Sequence, residues 1–333
     1  MELLLLLALP YLLFYLLPVK LVRARRSFER FGPPEGYVYA FVFHVHTQFS
    51  YDSLGKPEDV YRALEEEGLD FAVVTDHETD AFKYFADGRV LVGVERKIND
   101  EKGRVLGDLI KTPRLSVITH HFKKYPWRLE RKPEHYFELI NLKDALVERR
   151  LRLFLYLLLA PFVFPVDRRG YLEGFTKLLE PERYARAFVK EGWENRILGG
   201  LDHHTKLYVR EVGIRFLFPS YRFSFSLLRN VLLTDRKLGS AEELEEELLR
   251  REPVVCFTRR PVLCWREGDK VKVYSPYEKT LVRLVGEREE SWEGPNLELE
   301  AGRYLIVGYR YAFKLGPLFF GVRPLFLCRG NLS

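Results

Sequence analysis

The stretch His44-Val45-His46-Thr47-Gln48-Phe49-Ser50-Tyr51-Asp52 directly follows an apolar run, Tyr37–Phe43, that reads as a β-strand. Two histidines separated by one residue on an extended segment point the same way, so both imidazoles can reach one ion. Three further clusters repeat the theme: Asp76-His77, His120-His121 and Asp202-His203-His204. Seven of the eight histidines fall in these four clusters, and the clusters directly follow predicted strands. Asp202 and His204 share the spacing of His44 and His46. Alone, each pair is commonplace. Together they predict a metal site, because histidine is seldom fully buried without a partner and barrel enzymes gather their working groups at the carboxyl ends of strands.

Working outward, Phe71–Thr75, Val90–Val94, Leu115–Thr119, Tyr136–Ile140 and Arg196–Leu201 read as further strands. Pro57–Glu67 reads as a helix, with proline in its first turn and Gly68 as its stop. This β–α alternation predicts an α/β fold with a parallel sheet or barrel over 36–238. Ser240 and Glu243 form a capping box that opens a helix running to about Arg251. Beyond it, Val254–Thr258, Val271–Tyr274, Leu281–Val285 and Tyr304–Tyr311 are short β runs between turns. They predict a small antiparallel sandwich over 253–333.

The other bounds are compositional. At 333 residues the chain holds one large domain and a small one. Hydrophobic residues at 47% exclude a largely disordered chain. Single occurrences of methionine and glutamine beside abundant Glu, Lys and Arg resemble thermophile usage. Cys256, Cys264 and Cys328 lack CxxC spacing, which argues against a disulfide framework or thiolate zinc site. A Cys256–Cys264 bridge across a hairpin stays open. The net charge of +6 admits nucleic acid, an anionic membrane surface or a phosphorylated substrate. No basic–aromatic stripe or groove-reading motif supports nucleic acid.

Leu3–Val19 is uncharged and apolar, interrupted at Pro10 and Pro18, and followed by Lys20, Arg23, Arg25 and Arg26. This order predicts an amino-terminal membrane anchor over 1–26, with the rest of the chain facing the cytoplasm. A second apolar stretch, Leu153–Val166 within a 151–166 insertion, has two readings. One is a buried helix; the other is an apolar hairpin, broken at Pro161 and Pro165, that dips into the same leaflet.

These motifs resemble the PHP (polymerase and histidinol phosphatase) superfamily. His44-Val45-His46-Thr47-Gln48-Phe49-Ser50-Tyr51-Asp52 is similar to its first motif, HxHTxxSxD. Val74-Thr75-Asp76-His77 resembles its second, Gly93-Val94-Glu95 its bridging glutamate, Val117-Ile118-Thr119-His120 its third and Gly200-Leu201-Asp202-His203-His204 its final DxH. The match spans about half the chain. More locally, Ala301–Leu327 resembles the terminal β domain of the membrane-associated, carbaryl-hydrolase-like branch.

The resemblance implies a distorted (βα)7 barrel with two or three divalent ions (zinc, manganese or iron). His44, His46, Glu95 and Asp202 would hold one ion. Glu95 would bridge to a second, also bound by His120, while Asp52, His77 and His204 would hold a third. One departure stands out: Arg104-Val105-Leu106-Gly107 occupies a stretch where the family has histidine. Arginine cannot ligate a cation, so either the second metal is weak or missing, or Arg104 clamps a substrate phosphate. His121 and His203 are candidate general acids or else supporting residues, and Asn141 matches a polar family position of open role. The implied chemistry is hydrolysis of a phosphomonoester or phosphodiester by a metal-activated hydroxide, with a lipid-linked phosphate one substrate that the anchor suggests. Carboxyl- or carbamate-ester hydrolysis and a non-catalytic metal-binding scaffold are the alternatives.

Overall fold

A computed structural model of the chain describes residues 2–211 and 214–332. The chain divides into two compact units, each discontinuous in sequence: 34–144 with 191–259, and 1–33 with 145–190 and 260–332.

The first unit carries the histidine clusters. Its strands are β1 (Tyr37–Val45), β2 (Phe71–His77), β3 (Val90–Asn99), β4 (Val105–Lys111), β5 (Ser116–Thr119), β6 (Tyr136–Asn141), β7 (Arg196–Gly200), β8 (Arg229–Thr234) and β9 (Val254–Cys256). They form one curled sheet in the order β9-β8-β1-β2-β3-β4-β5-β6-β7. Pairing is parallel through β1-β2-β3 and β5-β6-β7, but β3-β4-β5 is antiparallel. Of the parallel sheet or barrel expected from the sequence, the structure has a large mixed sheet whose parallel runs are interrupted at β3-β4-β5. Strand β4, missed at Val105–Lys111, turns back on β3 because the turn at Asp100–Gly103 is too short for a helical crossover.

At the other side of the sheet, β7 returns towards β1 only near the carboxyl ends. Leu201 N donates to Phe43 O, His203 N to His44 O and His46 N to His203 O. Asn230 completes the seam lower down, its side chain bonding both N and O of Gly199. The core is continuous and aromatic: Phe41, Phe43, Phe71, Tyr136 and Leu198 pack with Leu244 and Leu248 of the helix Ala241–Leu248. That helix begins where the capping box placed it, with the Ser240 hydroxyl accepting from Glu243 N.

In the second unit, antiparallel strands occupy most of the stretch where a sandwich was expected. A three-stranded sheet, Leu263–Glu267, Lys270–Tyr274 and Asn296–Glu300, accompanies a sheet built from Ser291–Glu293, Thr280–Gly286, Tyr304–Arg310 and Arg323–Arg329. Cys264 and Cys328, one from each sheet, meet with their sulfurs 3.0 Å apart, so Cys264 faces Cys328 rather than bridging to Cys256. The stretch 145–190, expected inside the barrel domain, belongs to this unit. Its helix Pro181–Lys190 buries Tyr184, Ala185 and Phe188 at helical spacing and packs on the strands Thr280–Gly286 and Tyr304–Arg310.

The amino-terminal segment is also part of this unit. Lys20–Leu21 pairs with Leu318–Phe319, and Arg25–Arg26 with Trp292–Glu293. The helix Glu2–Leu16 has 15 residues, about 22 Å of rise against the roughly 30 Å of hydrocarbon in a bilayer. Among the described residues, no helix is long and apolar enough to cross a membrane. The helix ends at Leu16, and the chain goes on through the cis Leu17–Pro18 bond into the Lys20–Leu21 strand pairing, so 1–26 is not one continuous helix.

Candidate metal centre

The curl of the sheet brings the carboxyl ends of β1, β2, β3, β5, β6 and β7 together, and Glu95 lies at the meeting point. Its Oε2 is 3.1 Å from His44 Nε2, 3.1 Å from His46 Nε2 and 3.2 Å from His77 Nδ1. Its Oε1 is 3.1 Å from His120 Nε2. Asp202 faces it, with Oδ1 3.5 Å from His46 Nε2 and 3.2 Å from His204 Nδ1, and Oδ2 3.6 Å from His120 Nε2. Asp52 lies at the rim, its Oδ1 3.0 Å from His204 Nε2 and 3.8 Å from His77 Nε2. All eight residues expected as ligands, spread over 160 positions of sequence, are thus in one constellation.

Three of these residues sit on unusual backbone. His44, His120 and Asp202 have φ of 65°, 55° and 47°, in the left-handed region that costs non-glycine residues about 1–3 kcal/mol each. The regular alternation assumed for His44 and His46 does not hold, since the β1–β2 register slips between Val42 and Val45. The kink, rather than the pleat, turns both rings into the site, with centroids 5.0 Å apart.

The loop after β1 is fastened by Asp76. Its carboxylate accepts from Thr47 N (2.6 Å), Thr47 Oγ1 (2.7 Å) and Ser50 Oγ (2.8 Å), and Ser50 Oγ in turn accepts from His77 N. Thr47 and Ser50 are therefore structural pins that hold His46 and His77 side by side. Ser50 Oγ also lies 3.1 Å from His46 Nδ1.

Behind the histidines stand carboxylates that fix which nitrogen faces inward. Glu138 Oε1 is 2.6 Å from His44 Nδ1, and its Oε2 accepts from Thr119 Oγ1 and Asn141 Nδ2. Asp144 Oδ2 is 2.8 Å from His120 Nδ1. Asn141 thereby gains a role, holding Glu138 through its amide and accepting from Asp144 N through its carbonyl. Such partners keep the proton on Nδ1 and leave the Nε2 lone pair for a cation.

The charge pattern follows. Burial opposes a proton on His44, but Glu138 and Glu95 outweigh it and raise His44 well above the usual imidazole value. His120 rises against burial to about 10 through Asp144 and Glu95. Burial lowers His46 to about 3 and also lowers His77. Glu95 and Asp202 are held well below the ordinary carboxylate range: the surrounding imidazoles outweigh burial, joined at Asp202 by Lys143.

The donor set fits divalent cations. His46 Nε2, His204 Nε2, Asp52 Oδ1 and Asp202 Oδ1 are buried without a well-aligned hydrogen bond, and Asp202 Oδ2 has the Lys143 ammonium beside it. Four triads, His46/His77/His204, His44/His46/Asp202, His44/Glu95/His120 and His120/Asp144/Asp202, each bring three ligand atoms within 4.8 Å of one another. Mixed imidazole and carboxylate donors without thiolates suit zinc, manganese or iron.

The three residues expected to assist catalysis lie elsewhere. Arg104 is in the β3–β4 turn, its Nε donating to Asp100 Oδ2 at 2.8 Å with 69% of the side chain exposed. Glu95 pairs with Ile110 whereas Asn99 pairs with Val105, so Arg104 is beyond a point about 14 Å along the ribbon from Glu95. His121 is buried with both nitrogens engaged: Nδ1 accepts from Trp127 N, and Nε2 is 2.7 Å from Glu191 Oε2. His203 points away towards Ser224 Oγ (2.8 Å) and Thr205 Oγ1 (3.3 Å) and packs on Tyr221, and burial holds it neutral. Both are buried, with their ring nitrogens facing neighbouring polar groups rather than Glu95.

Four contributors escaped the sequence. Glu138 and Asp144 had no motif, although Asn141 pointed to their segment. Lys143 Nζ is 2.8 Å from Asp202 Oδ2 and 3.3 Å from His204 Nδ1. Asp108 lies on β4 opposite Lys97, two residues from the Glu95 row, with Oδ1 buried and unbonded. Burial and the nearby Glu95 charge raise it to about 7. It lies on the strand that follows the turn carrying Arg104.

Fold and site together describe a mixed α/β unit with a candidate multinuclear metal centre. No family model and no curated protein matches the chain. Among solved structures, it is similar to the crystal structure of a two-domain protein containing a predicted PHP-like metal-dependent phosphoesterase from Bacteroides vulgatus ATCC 8482, with 13% identity and a TM-score of 0.33. The match covers 91% of this chain and 99% of that one. Likeness at this level carries no argument, and the assignment rests on this chain's own residues.

Proposed function

We propose that the chain is a metal-dependent phosphoesterase of PHP type, acting on phosphomono- or diesters. The observation that carries this reading is the convergence of His44, His46, His77 and His120 on Glu95, faced by the buried carboxylate of Asp202. His44, His46, Glu95 and Asp202 would hold one ion, Glu95 and His120 a second, and Asp52, His77 and His204 a third. Divalent ions held there lower the pKa of water from about 15.7 towards 7 and stabilise negative charge on a phosphoryl group.

The chain's own residues prepare that chemistry. Glu138 and Asp144 orient two imidazoles, and Asp76 keeps the His46–His77 loop from shifting. Lys143 and Lys206 offer cations at the rim: Lys143 is 40% exposed beside Asp202, and Lys206 Nζ is 3.3 Å from Asp52 Oδ2. Two ammonium groups beside an otherwise acidic cluster favour a dianionic or monoanionic phosphate over a neutral ester. Tyr51, largely exposed and stacked on His77 with centroids 5.0 Å apart, gives the mouth an aromatic wall. The narrower likeness of 301–327 to the carbaryl-hydrolase-like branch rests on sequence alone.

The test is turnover of p-nitrophenyl phosphate, bis-p-nitrophenyl phosphate and p-nitrophenyl acetate with manganese, zinc, iron or magnesium. Phosphate ester cleavage that a chelator and His46→Ala both abolish is the expected result. Cleavage of the acetate alone would replace the reading with carboxyl-ester hydrolysis. Full turnover by His46→Ala in the presence of chelator would remove the metal assignment.

A further inference from the structure

We infer that residues 9–21 and 151–166 form one face that lies in the surface of an anionic lipid bilayer without crossing it. About half of the exposed large apolar side chains among the described residues come from these two short stretches. The helix Arg150–Leu157 buries only Tyr156, and Ala160–Val163 only Val163. Leu9, Leu12, Leu155, Leu158 and Phe162 are all between 45% and 53% exposed, and Leu151 reaches 70%. Soluble monomers rarely leave so much contiguous apolar surface in water unless something covers it.

The two stretches are one body. Tyr11 Oη donates to Phe162 O at 3.0 Å, and Tyr15 Oη to Asp167 Oδ2 at 2.8 Å. Phe14 is buried against Tyr156 and Tyr171, and Phe175 packs on the same pair. Lys177 Nζ lies 4.5 Å over the Phe14 ring and donates to Phe14 O. An aromatic layer thus pins the helices from the inside, while their leucines and Phe162 face out. Exposure here is built in, since the inner face is already satisfied.

Charge selects the occupant. No acidic residue occurs between Leu3 and Phe28 or between Arg149 and Val166. Exposed Arg23, Arg25 and Arg26 follow the first stretch, and exposed Arg150 and Arg168 bracket the second. A protein partner would need hydrogen-bond acceptors along its rim and matching relief at its centre. A basic border around a leucine-rich, donor-poor surface is instead the pattern of an in-plane membrane contact, with the arginine stems lying along the acyl boundary and their heads at the phosphates. The helices have 15, 8 and 4 residues, too short to span, which agrees with an in-plane position.

The test is flotation of the full chain with phosphatidylcholine vesicles, with and without phosphatidylglycerol, at low and high salt. The protein is expected to float with the anionic vesicles and to lose about tenfold in partition on neutral vesicles or at high salt. Leu155→Glu with Phe162→Glu should abolish flotation while keeping the wild-type melting transition. Should that pair fail to fold, Arg150→Ala with Arg168→Ala decides, and is expected to lower only the anionic-vesicle partition, by about tenfold. A protein that stays in the dense fraction with anionic vesicles, or an arginine pair that floats like wild type, would overturn the inference. So would a dimer in vesicle-free buffer that the Leu155→Glu/Phe162→Glu pair dissociates, because the face would then belong to a second copy.

Discussion

Replacing Glu138 by glutamine isolates the contribution of the residues behind the metal centre. The carboxylate is buried and accepts at both oxygens, from His44 Nδ1 on one side and from Thr119 Oγ1 and Asn141 Nδ2 on the other. Glutamine keeps the shape but turns one oxygen into an NH2 group. Whichever way the amide is set, a buried donor, His44 Nδ1–H or the Asn141 amide, then faces another donor. Leaving one such group unsatisfied costs about 1–3 kcal/mol. Loss of a comparable histidine-orienting carboxylate typically weakens metal affinity 10–100-fold, or about 1.4–2.7 kcal/mol. The two estimates agree, so the expected result is a metal affinity lowered about 10–100-fold. Competition against a chelating dye at fixed pH measures the affinity, and nitrogen NMR of the histidine side chains reads the His44 tautomer. An affinity within about twofold of wild type, with His44 still protonated on Nδ1, would refute the orienting role of Glu138.

Metal loading and packing give two further outcomes. His120 is raised to about 10 from an ordinary 6.5, so in metal-free protein its ion pairs contribute stability that is complete below pH 6.5 and lost as the pH climbs through about 10. A cation needs the same nitrogen deprotonated, so metal affinity should rise with pH across that window, and loading near neutrality should release protons. Calorimetric titration in buffers of different ionisation enthalpy counts them, and a release of zero would contradict the assignment of His44 and His120 as ligands. Separately, Gly107→Ala places a Cβ 2.4 Å from the Trp127 ring, which backs the β3–β4 ribbon. The overpacking should cost about 1–3 kcal/mol, seen as a lower urea midpoint with unchanged slope.

Much of the site was legible because its ligands lie in short motifs at strand ends. Histidine and carboxylate pairs such as His44/His46 and Asp202/His204 announce a cation before any fold is known. What stayed hidden were residues without a motif whose meaning is positional. Glu138 and Asp144 look like ordinary helix or strand charges until β6 is set behind His44 and His120. Arg104 and Asp108 show the converse. One-dimensional alignment selected the arginine, whereas the antiparallel β3–β4 register carries it up the ribbon and leaves the aspartate near Glu95.

Local chemistry along the chain determined the strands that carry the ligands, the helix at Pro57–Glu67, the capped helix after Ser240 and the identity of the eight candidate ligands, since hydrophobic period, capping and donor type are written in neighbouring residues. Tertiary structure alone decided that 145–190 joins the carboxyl-terminal sheets, that His121 and His203 face Glu191 and Ser224 rather than Glu95, and that the first apolar helix ends at Leu16. Those outcomes depend on which distant surfaces meet, and no run of adjacent residues encodes that on its own.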